Sequence, residues 1–492
     1  MMIFTISCIA IALPFILVRL LRWLAWSQQK EYRWDRIWNF LLSPEGMSEL
    51  VRLKPEKNDF TRTGMKRPVI TIRSMGVFFL SLILLGYFFS LSINFLWWWL
   101  PFVIYIVLPI LPMTSSFLTE NLKMLLSFGL LFIANKKVSK VNPKIIGITG
   151  SYGKTAVRHL CTHVLSQQYT VYTPPKSHNT PLSISWDIIK NYKQQDILLL
   201  EFAAYKKGEI KKLAHWFSPE ISIITGLTSQ HLALFGSLEN IIKAKGELVK
   251  ATQLTGTVLC NAKDPGTAKI CQQDSSKTTL PYSPDNKNTL ITNHQLNEKG
   301  LLQASWKTHK LSTHLVGLHH TETIAAAITL AQLLKILEIK ILHGINSFLP
   351  EAVFTQSYLH PKTHSLIIND GKTTNPKGFR SALALLDHYK KQGKNTILIT
   401  GGIIDLGDET ETIHLDLART AKPIVDMVFY TGSDGKAAFK EVFGPRMTDH
   451  LKTLESLIPK FNKDDVILIE GRIPPTLDKL LQKNSNKTRK ND

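Results

Sequence analysis

An uncharged run of 46 residues, from Ser74 to Thr119, constrains the folding of this 492-residue chain more than any other feature. The run is rich in Leu, Ile, Phe and Trp, so it needs either a large hydrophobic core or a lipid bilayer around it. Because a spanning helix takes about 20 apolar residues, the run predicts two spans with a turn near residues 90–94. A buried core helix is the alternative, and such helices are usually much shorter.

The first 18 residues are also uncharged. A cleaved signal peptide would carry Lys or Arg before its apolar core and small residues at a cleavage site after it, and this stretch has neither. We therefore predict a retained transmembrane helix over residues 1–26, a basic cytoplasmic loop over 27–76 and a transmembrane hairpin over 77–112.

Basic residues set the predicted orientation of these spans. Twelve Lys and Arg residues lie between Arg19 and Arg73, counting both, whereas the predicted turn at 90–94 has none. Since basic loops stay in the cytoplasm, we expect the N-terminus outside and everything after about residue 113 inside. The predicted location is the inner (cytoplasmic) membrane, as a multi-pass protein whose folded domains lie in the cytoplasm.

The segment 117–137 follows the predicted hairpin. It alternates apolar and polar residues at helical spacing and ends in two lysines, which is typical of a helix at the membrane interface. We predict an interfacial helix and linker over 113–142. A fourth span is the alternative, but Glu120 and Lys123 leave only a short uncharged stretch for it.

Charge and cysteine usage exclude several classes of protein. The formal net charge is +21, but the lysines are spread along the chain without an aromatic-interleaved stripe, so we expect no nucleic-acid partner. A basic surface beside anionic lipid explains the charge equally well. The four cysteines, Cys8, Cys161, Cys260 and Cys271, lack C-x-x-C spacing and predict neither a zinc site nor a disulfide, which fits a reducing cytosol.

From Lys144 onward the pattern is that of an α/β protein. Short β-rich runs alternate with helical segments, which predicts a mainly parallel sheet. The first four runs lie at 144–149, 196–201, 220–225 and 257–261. A second series starts near residue 365. We therefore predict a membrane-anchored α/β protein with a central domain over 143–348, a C-terminal Rossmann-like domain over 349–484 and a disordered tail over 485–492.

The stretch "GITGSYGKT", at 147–155, follows the first predicted strand. A glycine-rich turn between a strand and a helix beginning near Lys154 lets backbone N–H groups and the helix N-terminus hold phosphates. The strict P-loop pattern needs glycine where this chain has Ile148. We predict that Lys154 meets the β- and γ-phosphates of ATP and that Thr155 offers its hydroxyl to Mg²⁺. The predicted nucleotide-binding residues of this loop are Thr149, Gly150, Ser151, Gly153, Lys154 and Thr155.

Two polar residues follow later strands. Glu201 ends a predicted buried strand at the carboxyl edge, where ligands bind in open α/β sheets, so its carboxylate can reach a Mg²⁺ near Thr155. His231 lies in the loop after another strand. A single histidine is more often structural than a ligand, so the residues alone leave the role of His231 open.

With its shifted glycine, the loop resembles that of the Mur ligase family, ATP-dependent enzymes that add amino acids to the peptidoglycan stem. Three further stretches are similar to family motifs in the same order, above all to those of the branch that adds D-alanyl-D-alanine. These are "LLLEFAAYKKGEI" at 198–210, "ITGLTSQHLALFGSLENIIKAKGE" at 224–247 and "LCNAKDP" at 259–265. The resemblance covers about residues 143–480.

The resemblance implies roles for individual residues. Two Mg²⁺ ions would be held by Thr155, Glu201, His231 and Lys245, and Lys154 would join the last three as catalytic residues. Lys245, in "AKGE", is similar to the lysine that the family carries as a carbamate, which turns a cation into a carboxylate-like ligand. The implied cofactors are therefore ATP, two Mg²⁺ ions and a carbamylated Lys245.

The C-terminal series gives a mixed pattern. The stretch "IINDGKTTNP" resembles the family segment that approaches the nucleotide when the domain closes, which implies that Asp370, Lys372 and Asn375 bind ATP. His320, also expected at the nucleotide, stands where the family has an asparagine near the adenine. Glu470 stands where the family has a lysine. These departures leave the identity of the amine open.

Residues and resemblance together predict an acid–amino-acid ligase. It would activate a carboxylate as an acyl phosphate and add an amino acid or a dipeptide, such as D-alanyl-D-alanine, to a cell-wall peptide precursor. No UDP-sugar domain is recognisable in 1–142, so we predict a lipid-linked precursor; a UDP-linked one is the alternative. Other cell-wall synthesis proteins are candidate partners.

Two other functions compete with ligation. A membrane-attached P-loop ATPase is disfavoured because no apolar run ends in paired acids. A non-catalytic membrane scaffold is disfavoured because Lys154, Glu201 and Lys245 are all retained.

Overall fold

The computed structural model describes residues 1–30, 32–52, 68–175, 179–204, 207–228, 232–372, 375–404, 406–450, 456, 458–474, 477 and 481. The chain divides into two compact units, Met1–Leu130 and Leu131–Asp492. The predicted disordered tail over 485–492 lies outside the described residues.

The first unit is helical. Its helices are α1 (Met2–Gln29), α2 (Trp34–Leu42), α3 (Pro44–Val51), α4 (Ile72–Asn94), α5 (Leu100–Val107) and α6 (Ile110–Ser139), which continues into the second unit. Among the described residues, α1, α4 and α6 are long and apolar enough to cross a membrane. The core of this unit joins Ile16 and Leu20 of α1 to Leu85 of α4 and Ile104 of α5. Helices α2 and α3 lie where only a basic loop was predicted.

The second half of the predicted hairpin is wrong as a single span. Helix α5 has only eight residues, and α6 begins after Pro109. Proline lacks an N–H and its ring crowds the preceding turn, so it separates the two helices. Helix α6 contains Glu120 and Lys123, the charges predicted to exclude a span, yet it meets the length and composition of one. Glu120 pairs with Arg73 at the start of α4, and Lys123 Nζ lies 3.9 Å from Glu120.

The described residues of the central domain form a six-stranded parallel sheet in the order β2-β3-β1-β4-β5-β6. The strands are β1 (Lys144–Thr149), β2 (Val171–Tyr172), β3 (Ile197–Glu201), β4 (Ile221–Ile224), β5 (Thr257–Asn261) and β6 (Thr278–Tyr282). Between them lie α7 (Lys154–Leu165), α8 (Pro181–Asn191), α9 (Glu209–Trp216), α10 (Leu232–Phe235), α11 (Leu238–Ala251) and α12 (Pro265–Cys271). All four predicted strands of this domain are confirmed.

A small antiparallel sheet closes the central domain and was not predicted. It consists of β7 (Ile291–Leu296), β8 (Leu301–Trp306) and β9 (His309–Val316). Only alternate residues of β8 are buried, Leu302, Ala304 and Trp306. Helices α13 (His320–Leu333) and α14 (Glu338–Asn346) follow, and α13 packs against α7.

The C-terminal domain has its own six-stranded sheet within the described residues, in the order β10-β11-β15-β12-β13-β14. Its strands are β10 (Gln356–Leu359), β11 (Leu366–Asp370), β12 (Asn395–Thr400), β13 (Met427–Tyr430), β14 (Met447–Thr448) and β15 (Asp465–Glu470). Its helices are α15 (Pro376–Lys390), α16 (Thr410–Ala421) and α17 (Lys436–Phe443). All pairs are parallel except β10 with β11.

The prediction that no cysteines pair is wrong. Cys260 in β5 and Cys271 at the end of α12 form a disulfide, with their Cα atoms 6.6 Å apart. They meet because α12 turns back beside β5 after a tight turn, in which Asp264 accepts a hydrogen bond from Gly266 N. Spacing along the sequence does not reveal this turn.

Candidate functional site

The glycine-rich loop joins β1 to α7 at the carboxyl edge of the central sheet. Gly150 has a φ of +154° and Gly153 one of +77°, both in the region that favours glycine. A Cβ on Gly150 would lie 2.1 Å from Thr225 Oγ1. Ser151 N donates to Gly226 O over 2.7 Å, which fastens the loop to the end of β4. The loop therefore holds the positive N-terminal end of α7 in a fixed position.

A cavity of about 290 Å³ lies between this loop and the C-terminal domain. Its walls include Ser151, Gly153, Lys154 and Thr155 on one side and Asp370, Lys372 and Asn375 on the other. Lys154 Nζ donates to Gly150 O at 2.7 Å, and burial lowers the pKa of Lys154. Ser151 Oγ has no hydrogen-bond partner among the described residues. Phosphate oxygens would satisfy both groups.

Two predicted loop residues do not line this cavity. Thr149 is fully buried, and its hydroxyl donates to Phe202 O over 2.7 Å, which joins the ends of β1 and β3. Gly150 lies beneath the turn, against Thr225. Both residues shape the loop and leave the contact with a ligand to the residues that follow.

Glu201 brings an acid to the start of α7. Its carboxylate lies 3.1 Å from Thr155 Oγ1 and 3.4 Å from Arg158 Nε. Hydroxyl and carboxylate oxygens are ligands that Mg²⁺ prefers, so Thr155 and Glu201 fit one such ion. Arg158 was missed in the sequence, although its position four residues after Lys154 places both on one face of α7.

Lys245 of α11 lies close to the same acid. It is 4% exposed, and burial, assisted by the charge of Lys154, lowers its pKa to about 7, while Glu201 opposes that shift. The prediction for His231 falls outside the described residues. Within the described ranges, no group of three His, Cys, Asp or Glu side chains could hold a metal ion. A second ion would therefore need a modified Lys245 or a residue outside those ranges.

The C-terminal domain supplies the opposite wall of the cavity. Asp370 Oδ1 accepts a hydrogen bond from Thr355 Oγ1 at 3.0 Å. Asn375 Oδ1 accepts from Gly378 N at 2.9 Å and so caps α15. Lys372 is exposed. The structure thus brings Asp370, Lys372 and Asn375 together with the last four predicted loop residues around one cavity, although the two groups are distant in the sequence.

Two adjacent imidazoles face this cavity. Burial lowers the pKa of His319 to about 4 and that of His320 well below its ordinary value, so both rings are neutral. Their centroids lie 4.1 Å apart, and His320 lies 5.7 Å from the ring of Phe354. In the described part of the chain, His319 Nδ1 and His320 Nε2 have no hydrogen-bond partner. These nitrogens are available to a ligand with polar ring atoms.

A cluster that sequence reasoning missed joins the loop to the C-terminal domain. Tyr152 OH donates to Asp264 Oδ2 at 2.6 Å and accepts from Lys377 Nζ, which lies 4.4 Å from the Tyr152 ring. Lys377 Nζ is also 3.4 Å from Asp264 and 4.0 Å from Glu322. Burial and the Asp264 carboxylate raise the pKa of Tyr152, so its hydroxyl keeps its proton. Lys377 thereby ties α15 to the central domain.

Comparison with known proteins identifies the class that this fold and this site define. The Mur ligase middle domain matches residues 148–331, and the Mur ligase glutamate ligase domain matches 359–473. The chain belongs to the Mur ligase family. Within that family it is a MurF-like, ATP-dependent ligase of peptidoglycan precursors. Members of the family use ATP and Mg²⁺.

Individual relatives agree with this assignment. The chain is 25% identical over 360 residues to the UDP-N-acetylmuramoyl-tripeptide–D-alanyl-D-alanine ligase of Bacillus subtilis, a match covering 69% of this chain and 75% of the relative. The crystal structure of MurF from Acinetobacter baumannii superposes with a TM-score of 0.64 at 20% identity, over 72% of this chain and 79% of that one. MurF from Thermotoga maritima, solved with ADP, gives 0.62 at 20% identity, over 74% and 85%. At this identity the two structures show the fold alone.

Proposed function

We propose that this protein is a membrane-anchored Mur-type ligase that adds an amino acid or a dipeptide to a lipid-linked cell-wall precursor. One observation carries the catalytic part of the proposal. Lys154 and Thr155 line a cavity that the C-terminal domain closes, and Glu201 lies behind them in contact with Thr155. Lys245 is close enough to Lys154 and Glu201 for their charges to shift its pKa. In this arrangement, the γ-phosphoryl group of ATP is passed to a substrate carboxylate, and the amine then attacks the acyl phosphate.

Each residue has a distinct task in this reaction. The loop and the N-terminus of α7 orient the phosphates, and Lys154 compensates the negative charge that moves with the γ-phosphoryl group. Thr155 and Glu201 would hold Mg²⁺, which when bound neutralises the phosphate oxygens. Arg158 holds Glu201 in place through an ion pair with the same carboxylate. His319 and His320 would face the base of the nucleotide.

Lys245 supports the proposal that a carbamate completes the metal site. A lysine must be neutral to react with CO₂, and a pKa of about 7 makes a large fraction neutral at cytoplasmic pH. Because Lys245 is only 4% exposed, its surroundings would then shield the carbamate from water. Unmodified and protonated, Lys245 would repel a metal ion near Glu201.

The amine is proposed from the relatives. The Bacillus subtilis relative is named a UDP-N-acetylmuramoyl-tripeptide–D-alanyl-D-alanine ligase, so the dipeptide D-alanyl-D-alanine is the first amine to test. A P-loop ATPase remains the competing function. Phosphate release that depends on an added amine and yields an amide product would favour the ligase, whereas release that is independent of any amine would favour the ATPase.

The acceptor is proposed to be lipid-linked. Helices α1, α4 and α6 meet the length and composition of membrane spans. Anchoring an enzyme beside a lipid-bound substrate raises the local concentration of that substrate. Some basic side chains of the first unit stabilise the unit itself. Arg19, for example, donates hydrogen bonds to Arg52 O at 2.8 Å and to Leu50 O at 3.0 Å.

One assay separates the two acceptors. The full-length enzyme in detergent micelles is given a UDP-linked peptide precursor and its lipid-linked equivalent at matched concentrations, with ATP, Mg²⁺ and D-alanyl-D-alanine. We expect a higher kcat/KM for the lipid-linked precursor. Equal or better use of the UDP-linked precursor would contradict the lipid-linked acceptor while leaving the ligase assignment intact.

A further inference from the structure

Three neighbouring strands of the C-terminal sheet end in polar residues, and of these only Asp370 was expected at the nucleotide. Asp370 ends β11, Glu470 ends β15 and Thr400 ends β12, and the register pairs Glu470 with both of the others. Residues paired in register on neighbouring strands point to the same face of a sheet. We call Asp370 and Glu470 the acid pair. Asp370 also lines the nucleotide cavity, and Glu470 lies next to it on the neighbouring strand, behind the cavity wall.

Glu470 has no compensating partner in the part of the chain that the structure describes. It is 1% exposed, and neither of its carboxylate oxygens has a hydrogen-bond partner among the described residues. Burial and the neighbouring Asp370 carboxylate raise the pKa of Glu470 well above its ordinary value. A buried carboxylate beside a second acid requires either a proton or a cation. A lysine at position 470, as in the resembling family motif, would supply that cation internally.

We propose that Asp370 and Glu470 bind the ammonium group of the amine substrate. This inference rests on the proposed ligase function and names the feature by which the amine is selected. An ammonium group has three N–H donors, which two carboxylates and a neighbouring hydroxyl can accept. A divalent metal ion prefers six or more oxygen ligands, and no three-acid group exists in the described ranges. The acid pair therefore suits an ammonium group better than a metal ion.

The position of the pair agrees with this role. Ligands of open α/β sheets bind at the carboxyl ends of the strands, where Asp370, Thr400 and Glu470 all lie. Glycine follows each of the three residues in the sequence. A Cβ on Gly401 would lie 2.1 Å from Arg472 O, so the loops beyond the strands run close together around this edge. An amine held there would enter from the C-terminal domain, opposite the phosphates on the loop before α7.

Binding can be measured without catalysis. Full-length protein in detergent is loaded with a non-hydrolysable ATP analogue and Mg²⁺, and saturation-transfer NMR records the binding of D-alanyl-D-alanine, D-glutamate and L-lysine. The N-acetylated form of each compound serves as a probe without the α-ammonium group. We expect at least one amine to bind at least tenfold more tightly than its N-acetylated form. Absence of such a difference throughout the panel would overturn the proposal.

Two variants test Glu470 itself. Glu470→Gln removes the charge at constant size, and Glu470→Lys places an internal cation beside Asp370. We expect Gln to lose most of the tenfold preference and Lys to lose all of it, while Glu441→Gln on the exposed face of α17 changes nothing. Both Glu470 variants should fold, because each relieves an uncompensated buried acid. Unchanged amine binding in either variant would mean that Glu470 merely holds a proton, which overturns the proposal.

The same samples separate this inference from the proposed function. If the ammonium-dependent binding is found but no amine yields an ATP-dependent amide product, the ligase proposal fails and the subsite stands. If products form at wild-type rates and with wild-type amine KM in Glu470→Lys, the ligase stands and the subsite is rejected.

Discussion

Glu201 contacts a hydroxyl and a guanidinium group through the same carboxylate oxygen. Thr155 Oγ1 lies 3.1 Å and Arg158 Nε 3.4 Å from its Oε2. Arg158 is 2% exposed, and removal of one partner from a buried ion pair costs about 3–5 kcal/mol. Substitutions in this cluster therefore affect folding as well as chemistry, and isosteric ones separate the two effects best.

We expect Lys154→Ala and Glu201→Gln each to lower ATP-dependent ligation by at least about 100-fold, because each removes charge stabilisation at the phosphates. Amide product is measured by mass spectrometry, and the thermal unfolding of each variant is followed in parallel. A folded variant with near-normal turnover would refute the assignment of that residue.

Lys245 should carry a carbamate when the enzyme is active. Because its pKa is about 7, the amine is mostly protonated below pH 7 and mostly neutral above it, so the carbamylated fraction should rise between about pH 6 and 8. NMR with ¹³C-labelled bicarbonate measures that fraction. Lys245→Ala should lose activity and regain part of it with added acetate, whereas Lys250→Ala, exposed on the same helix, should behave as wild type. An active enzyme without a carbamate signal would exclude this role.

Local motifs predicted part of the site at the residue scale. Lys154 and Thr155 follow from the loop pattern, and Glu201 follows from its place at the end of a buried strand. Arg158 and the contact between Tyr152 and Lys377 depend on how α7 and α15 pack, which no short motif encodes. His231 and its suggested role stay a prediction.

At the scale of elements, strands buried on both faces were the easiest to predict. All five residues of β3 are buried, so the run is continuously apolar. Strand β8 buries only every second residue and was missed. The break between α5 and α6 is encoded by Pro109, a signal that hydropathy alone overlooks. The turn that brings Cys260 to Cys271 likewise depends on packing.

The cluster around Lys377 predicts how α15 is coupled to the nucleotide loop. Lys377→Met removes the cation that joins Tyr152, Asp264 and Glu322, so the C-terminal domain should close less readily over the nucleotide. We expect the KM for ATP to rise about three- to tenfold, with a small change in thermal stability because the ammonium group is partly exposed.

Two controls accompany this variant. Lys377→Arg keeps the charge and should recover most of the ATP affinity. Lys391→Met removes an exposed lysine just beyond α15 that pairs with Asp387 four residues earlier, and it should leave the KM for ATP unchanged. An unchanged KM for ATP in Lys377→Met would show that the cluster is merely structural.

At the scale of the whole molecule, the proposed membrane location rests on the first unit. Ser81 Oγ lies 3.0 Å from Ser115 Oγ, and Arg73 pairs with Glu120, so α4 and the start of α6 run antiparallel. Helix α4 is about 30 Å long from Arg73 to its end, which matches the hydrocarbon thickness of a bilayer. From the end of α4 the chain therefore runs back through α5 and the first part of α6. At Glu120 it is again level with Arg73, where α4 begins. This return path replaces the single span that the sequence predicted.

This geometry predicts a topology that can be measured. Because the basic residues lie before α4 and none lies between α4 and α5, we expect the segment 95–99 outside and the C-terminus inside. Alkaline phosphatase inserted at this segment should be active, since that enzyme folds only outside the cytoplasm. Green fluorescent protein fused to the C-terminus should fluoresce. This protein becomes fluorescent in the cytoplasm but not after export through the general secretory route. Active phosphatase at the C-terminus would place the ATP cavity on the wrong side of the membrane and exclude a cytoplasmic ligase. Inactive phosphatase at 95–99 with a fluorescent C-terminus would instead mean that α4 does not cross, and the membrane would then be reached through α1 or α6.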